Sequence, residues 1–128
     1  MNNCEEILKL KIVIERYTGP GHTLEINLKE GSVFWTDDLL FYQKPKPIKV
    51  LNLQEREQLI EHLEQNNLLE WDTRYYDLSK MNGDLWSVEL IGEEEIRKIK
   101  GTGVVPKEWD RFTEGLSELI GKTIKLQD

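Results

Sequence analysis

The sequence has only one cysteine, Cys4, and two histidines among its 128 residues. A single cysteine excludes an internal disulfide, and we expect Cys4 to be a free, partly exposed thiol. His22 follows a glycine in a predicted loop, and His62 lies on the polar side of a predicted helix. Because there is no HExxH motif, no cysteine pair and no histidine cluster, the sequence predicts neither a metal site nor a cofactor.

A complete set of catalytic residues is also missing. Gly19-Pro20-Gly21 lacks the Lys and Ser/Thr that end a phosphate-binding loop. Gly101-Thr102-Gly103 precedes a predicted helix, but Pro106 removes a backbone amide that a phosphate would use, so we predict a strand-to-helix turn. Neighbouring carboxylates such as Asp37-Asp38 are expected by chance among 24 acidic residues. The alternative is that His22 acts alone as an acid-base group.

Positive charge and long apolar runs are scarce. The 17 Lys and Arg residues are outnumbered by 24 Asp and Glu, which gives a net charge of −7 and a pI of about 4.9. This balance argues against nucleic acid and against an anionic membrane surface, since both attract basic clusters. It fits a basic protein partner. No stretch approaches the roughly 18 apolar residues of a transmembrane helix, and the N-terminus lacks the pattern of a secretory signal, which predicts a cytoplasmic protein.

What the sequence does contain is the patterning of a single α+β domain over residues 1–128. Alternation of apolar and polar side chains predicts strands at 7–15, 23–28, 32–36, 39–43, 75–78, 84–91 and 95–100. The stretch 44–47 holds two prolines, so we expect a connector or a protected edge there. Asn82-Gly83 predicts a tight hairpin that joins the strands on either side of it.

Two helices complete the predicted fold. Asn52 and Glu55 form a capping-box-like pair at the start of the first helix, and Asn66-Asn67 ends it. Pro106 suits the first turn of the second helix, and Gly121 suits its C-terminal cap. The expected fold class is an antiparallel sheet of about five to seven strands with two helices packed on one face.

Aromatic and turn residues in the C-terminal half form a spaced pattern that consists of Trp71, Tyr75, Asn82-Gly83-Asp84-Leu85-Trp86, Gly101, Pro106 and Trp109. This spacing resembles that of small uncharacterised bacterial proteins, in which Asp-Gly often precedes the middle tryptophan where this chain has Asn-Gly-Asp. The resemblance covers about the C-terminal half. It implies a compact bacterial α+β domain of unknown function and no activity that can be transferred.

The best candidate for a functional segment carries five residues suited to an interface, Trp71, Asp72, Arg74, Tyr75 and Asp77. Trp, Tyr and Arg concentrate binding energy at protein interfaces, and the aspartates would meet basic groups on a partner. The structural alternative is that Trp71 and Tyr76 seal the sheet against the first helix.

Functions of two different classes follow from these observations. One is a non-catalytic cytoplasmic protein-binding domain with a basic partner, such as an immunity-type protein that neutralises a toxin. The other is a small-ligand-binding protein or an enzyme, with a pocket between sheet and loops where Tyr75, Trp86, His22 or Arg74 would converge. A homodimer that buries an exposed sheet face or edge is a third alternative.

Overall fold

The computed structural model describes residues 1–16, 20–37, 46–77, 79 and 83–126. These ranges contain seven strands: β1 (Lys9–Glu15), β2 (His22–Asn27), β3 (Ser32–Asp37), β4 (Pro47–Val50), β5 (Arg74–Tyr76), β6 (Leu85–Ile91) and β7 (Ile96–Thr102). They also contain two α-helices, α1 (Leu53–Gln65) and α2 (Trp109–Ile120). Short 3-10 turns precede β1 (Cys4–Glu6) and follow α1 (Leu68–Glu70).

All the described strands form one sheet in the order β4-β3-β2-β1-β6-β7-β5. Neighbouring strands are antiparallel, except that β5 runs parallel to β7. The expected α+β class is therefore confirmed. Pro47 is the first residue of the edge strand β4, a position at which a sheet tolerates proline. The strand predicted at 39–43 lies outside the described residues.

The hairpin predicted at Asn82-Gly83 is wrong. Asn82 lies outside the described residues, but the strands on either side are not partners, because β6 pairs with β1 and β7. Both edges of β6 are occupied by seven-residue antiparallel neighbours. The three-residue β5 instead pairs with the far edge of β7. A local turn signal could not reveal this order, because it arises from pairing over long sequence distances.

The strand alternation places one face of the sheet in the core. Leu10, Ile12 and Ile14 of β1 are completely buried, and their neighbours on β2 and β6 are buried as well. Both helices supply apolar side chains to the same core, which confirms that they pack on one face. Lys9 and Lys11 alternate with these residues and lie on the other face, which no described element covers.

The start of α1 has the predicted capping box. Asn52 Oδ1 accepts a hydrogen bond from the Glu55 amide at 2.8 Å, and Glu55 Oε1 accepts one from the Asn52 amide at 3.1 Å. Lys49 Nζ lies 2.9 Å from Glu55 Oε2. The bond to Lys49 and the bond from the Asn52 amide lower the pKa of Glu55, because both favour its charged form.

We expect Asn52→Ala to lower the free energy of unfolding by about 1 kcal/mol, measured by urea denaturation at neutral pH. Asn52→Asp keeps an acceptor and should cost much less. Because the pKa of Glu55 is lowered in the folded protein, the bond that its carboxylate accepts from the Asn52 amide contributes to stability at neutral pH. This contribution is lost as the pH falls through the pKa of Glu55 in the folded protein. Asn52→Ala keeps the backbone amide that donates to Glu55, so both proteins lose this contribution in acid and the difference between them should persist. An unchanged stability of Asn52→Ala at neutral pH would contradict this account.

Cys4 is free but buried, at 1% exposure, so the expectation of a partly exposed thiol is wrong. The 3-10 turn that carries it packs on α1, where the Cys4 amide donates to Glu64 Oε1 at 2.7 Å. Burial, reinforced by the charge of Glu64 and a hydrogen bond to it, raises the pKa of Cys4 to about 12. The apolar alternation from Ile7 onward gave no signal that the preceding turn would fold back on the helix.

This burial predicts that the native thiol reacts very slowly with Ellman's reagent. With its pKa near 12, roughly one Cys4 in ten thousand is a thiolate at pH 8, and the thiolate is the reactive form. Full reaction is expected once urea unfolds the chain. Rapid stoichiometric reaction of the folded protein would show that Cys4 is not buried against α1.

Candidate functional site

The segment predicted to form an interface is divided between core and surface, and Trp71 belongs to the core. It is 3% exposed. Its ring lies 5.1 Å from that of Phe112 and 6.4 Å from that of Trp109, between centroids. Its indole N–H donates to the Asn66 carbonyl at 2.9 Å. Trp71 therefore ties the segment after α1 to the start of α2.

Tyr75, rather than Tyr76, faces the core with Trp71. Its ring is half-buried and lies 5.6 Å from that of Trp86. Its hydroxyl accepts a hydrogen bond from the Asp72 amide at 2.9 Å, and burial raises its pKa. The expectation that Tyr76 seals the sheet is wrong because β5 pairs Tyr75 with Gly101 on the core face and Tyr76 with Thr102 on the uncovered face.

The other members of the segment lie at the surface. Asp72 and Arg74 are exposed, and Tyr76 is 49% exposed on the uncovered sheet face. Asp77 Oδ1 accepts hydrogen bonds from the Ser79 amide at 2.9 Å and from the Ser79 hydroxyl at 2.6 Å. The segment thus presents charge and one aromatic ring outward, while two aromatic rings hold it in place.

Of the four side chains named as candidates for a pocket, only Tyr75 and Trp86 are brought together. Tyr75 and Trp86 fill the core face beside Trp109, whose ring is 4.7 Å from that of Trp86. His22 is buried on β2 and stacks on Trp35 at 4.5 Å. Arg74 lies on the opposite face of the sheet, beside Lys100.

Asn66 is a buried link that the sequence did not reveal. Its side chain donates to the His62 carbonyl at 2.8 Å and accepts from Arg111 Nε at 2.8 Å, while its backbone carbonyl accepts from Trp71. Asn66 was predicted only as a helix end. The available signal, a polar residue beside an apolar stripe, indicates where the helix stops and does not show its tertiary partners.

The two helices run antiparallel and leave a groove between them. They approach closely at Gly115, where a Cβ would lie 2.2 Å from the His62 ring. The position of that ring is fixed by its Nε2, which is 2.9 Å from the Phe112 carbonyl oxygen. The groove has a volume of about 300 Å³ and is lined by Gln58, Leu59, His62, Gly115, Glu118 and Leu119.

Negative charge predominates on this helical layer. The helix α1 carries four glutamates and one arginine, and α2 carries three carboxylates and one arginine. Both arginines bind backbone carbonyls, Arg56 that of Lys29 at 2.6 Å and Arg111 that of Gln65 at 3.0 Å. Within the described ranges, the Lys49–Glu55 pair is the one ion pair that neutralises a helix carboxylate.

The uncovered sheet face has a different charge pattern. One row across β7, β6, β1 and β2 consists of Lys98, Glu89, Lys11 and Glu25, which alternate in sign. Lys98 Nζ is 3.5 Å from Glu89 Oε1, and Lys11 Nζ is 3.8 Å from Glu25 Oε1. Near β5, this face holds a second groove of about 290 Å³, lined in part by Val13, Glu15, Tyr76, Leu85, Lys98 and Lys100.

In the part of the chain that the structure describes, no group of three or more His, Cys, Asp or Glu side chains could hold a metal ion. No helix in those ranges combines the length and apolar character needed to cross a membrane. No protein-family model matches the chain, and a comparison with curated proteins finds no match. The functional inference therefore depends on the two grooves and the charges around them.

Proposed function

We propose that this protein is a non-catalytic protein-binding domain that holds a basic partner against its helical layer. The observation that carries the proposal is the groove between α1 and α2, whose apolar floor lies beside carboxylates that form no ion pair among the described residues. In its most specific form, the proposal describes an immunity-type protein that neutralises a basic toxin by covering part of its surface.

The groove has the chemistry needed to receive a lysine or arginine side chain. Leu59 and Leu119 offer apolar contact to the aliphatic stem, and Glu118 offers a carboxylate to the charged end. Glu114 lies one helical turn before Glu118, on the same side of α2. Both glutamates are exposed, so the acidic layer would also accelerate the approach of a basic partner.

We propose that the segment from Trp71 to Asp77 extends this acidic surface. Trp71 and Tyr75 anchor the segment, and exposed Asp72 presents a further carboxylate beyond the end of α1. We further propose that binding takes place in the cytoplasm, where a lone thiol such as Cys4 stays reduced.

Charge reversal on α2 tests the proposal. Tagged wild type and the double variant Glu114→Lys/Glu118→Lys are used to capture proteins from a lysate of the source organism at low salt, followed by quantitative mass spectrometry. We expect a basic protein to be retained stoichiometrically by wild type and reduced by about tenfold or more in the variant, because like charges then meet across the interface. Both positions are exposed, so the variant should remain folded.

The matched control is Glu93→Lys/Glu94→Lys, which makes the same change in net charge at the exposed turn between β6 and β7. It should retain the partner as wild type does, and high salt should release the partner from both. The proposal is overturned if no basic protein is captured, or if reversal on α2 and reversal at the turn have equal effects.

A further inference from the structure

On the uncovered sheet face, one row of side chains is cationic and contains no carboxylate. Arg74 of β5 lies directly beside Lys100 of β7, followed by Ser87 on β6 and Val13 on β1. Both cations are exposed, and neither forms an ion pair within the described part of the chain. Like charges directly opposite each other on adjacent strands destabilise a sheet.

The neighbouring row shows that this sheet otherwise balances its charges. Lys98, which precedes Lys100 on the same face, is paired with Glu89. The pattern is then continued by Lys11 and Glu25. The Arg74–Lys100 pair therefore departs from the charge balance of the neighbouring row, although the chain as a whole has a net charge of −7.

On the other side of the cationic row lies an apolar row. Tyr76 and Leu85, each 49% exposed, stand on either side of Thr102, and Glu15 follows on β1. Rows on one face of a sheet are about 7 Å apart. The groove of about 290 Å³ lies over this end of the sheet, with Val13 in its lining. Lys98 and Lys100 line this groove together with the half-exposed Tyr76 and Leu85, and Arg74 lies outside the lining, beside Lys100.

We propose that this groove is a binding site for a small amphiphilic organic anion, which consists of a carboxylate, sulfonate or phosphate group on an apolar or aromatic body. The anionic group lies over Arg74 and Lys100 and relieves their repulsion. The body covers Leu85 and the Tyr76 ring and removes their apolar surface from water. Glu15, at the β1 end of the apolar row, directs the anionic group toward β5 and β7 by repulsion.

The site is independent of the proposed partner surface. The two grooves lie on opposite faces of the sheet and have opposite charge preferences, because Glu118 is the charged residue that lines the helical groove, whereas two lysines, Lys98 and Lys100, outnumber Glu15 in the lining of the sheet groove. The volume of the sheet groove is near the lower limit of about 300–1,000 Å³ for small-molecule pockets. It therefore suits a compact ligand of one or two rings.

The test uses 8-anilinonaphthalene-1-sulfonate, an aromatic anion whose fluorescence rises in apolar surroundings. Its uncharged counterpart N-phenyl-1-naphthylamine measures the apolar contribution alone. Binding to wild type, Arg74→Gln/Lys100→Gln and Leu85→Ala is measured by fluorescence titration, and the site is located by amide chemical shifts in NMR spectra. The matched control, Lys107→Gln/Lys122→Gln, removes two exposed cations away from the groove lining.

We expect saturable binding of the sulfonate with amide shifts at Val13, Leu85 and Lys100. Its dissociation constant should rise by about three- to tenfold in Arg74→Gln/Lys100→Gln and stay unchanged in the control. Leu85→Ala, at an exposed position, should weaken both probes. The proposal is overturned if the sulfonate does not bind saturably, if its affinity is unchanged in Arg74→Gln/Lys100→Gln, or if the shifts map to the helical groove.

Discussion

Trp71→Ala is expected to lower the free energy of unfolding by about 3–5 kcal/mol, among the largest effects of any single substitution in this chain. Trp71 is 3% exposed and packs between the rings of Phe112 and Trp109. Its removal creates a cavity and takes a donor from the Asn66 carbonyl. Because Asn66 also binds Arg111, the loss should loosen the junction between the end of α1 and the start of α2.

Urea denaturation followed by circular dichroism measures this effect. The exposed neighbours are the controls, since Asp72→Ala and Arg74→Ala should each change stability by less than about 0.5 kcal/mol. If Trp71→Ala keeps the free energy of unfolding of wild type but no longer retains the captured partner, Trp71 is an interface residue and its place in the core is contradicted. A large stability loss for Asp72→Ala would likewise show that the segment is packed differently.

Gly101→Ala is expected to destabilise the fold by about 1–3 kcal/mol through overpacking. A Cβ at this position would lie 2.8 Å from atoms of the Trp86 indole. The ring cannot move aside freely, because its N–H donates to the Val104 carbonyl at 2.9 Å and Trp109 packs against it at 4.7 Å. The absence of a side chain on β7 thus lets a tryptophan from β6 cover the strand.

A double-mutant cycle separates this collision from other effects of alanine. Trp86→Phe removes the larger ring system, so Gly101→Ala should cost about 1 kcal/mol less in the Trp86→Phe background than in wild type. Thermal or urea unfolding of the four proteins gives the coupling energy. Equal costs in both backgrounds would mean that the glycine is required for a reason other than the Trp86 ring.

The features that the sequence predicts well are those determined locally. Asn52 and Glu55 lie three residues apart and form their capping box within one helical turn, so their spacing alone was sufficient. The alternation in β1 likewise identified its buried face correctly. In each case the stabilising contact, or the periodicity itself, lies within a few residues of the signal.

The features that the sequence predicts poorly depend on distant neighbours. The phase of β5 is set by its pairing with β7, which places Tyr75 beside Gly101 on the core face and leaves Tyr76 on the open face. Asn66 gains its importance from Arg111 and Trp71. The uncompensated cations arise only because β5 pairs with β7, whereas the hairpin signal suggested pairing with β6. Residue types suited to binding were recognised in the sequence, but their division between core and surface required the topology.

The central claim is that a basic partner docks on the acidic helical layer. Carbodiimide footprinting of carboxylates, read by mass spectrometry in the free protein and in the captured complex, tests it most directly. We predict that Glu114 and Glu118 lose labelling in the complex while Glu93 and Glu94 keep it, since only the first pair lies on α2 beside the groove. Full labelling of both α2 glutamates in a stoichiometric complex would contradict the claim.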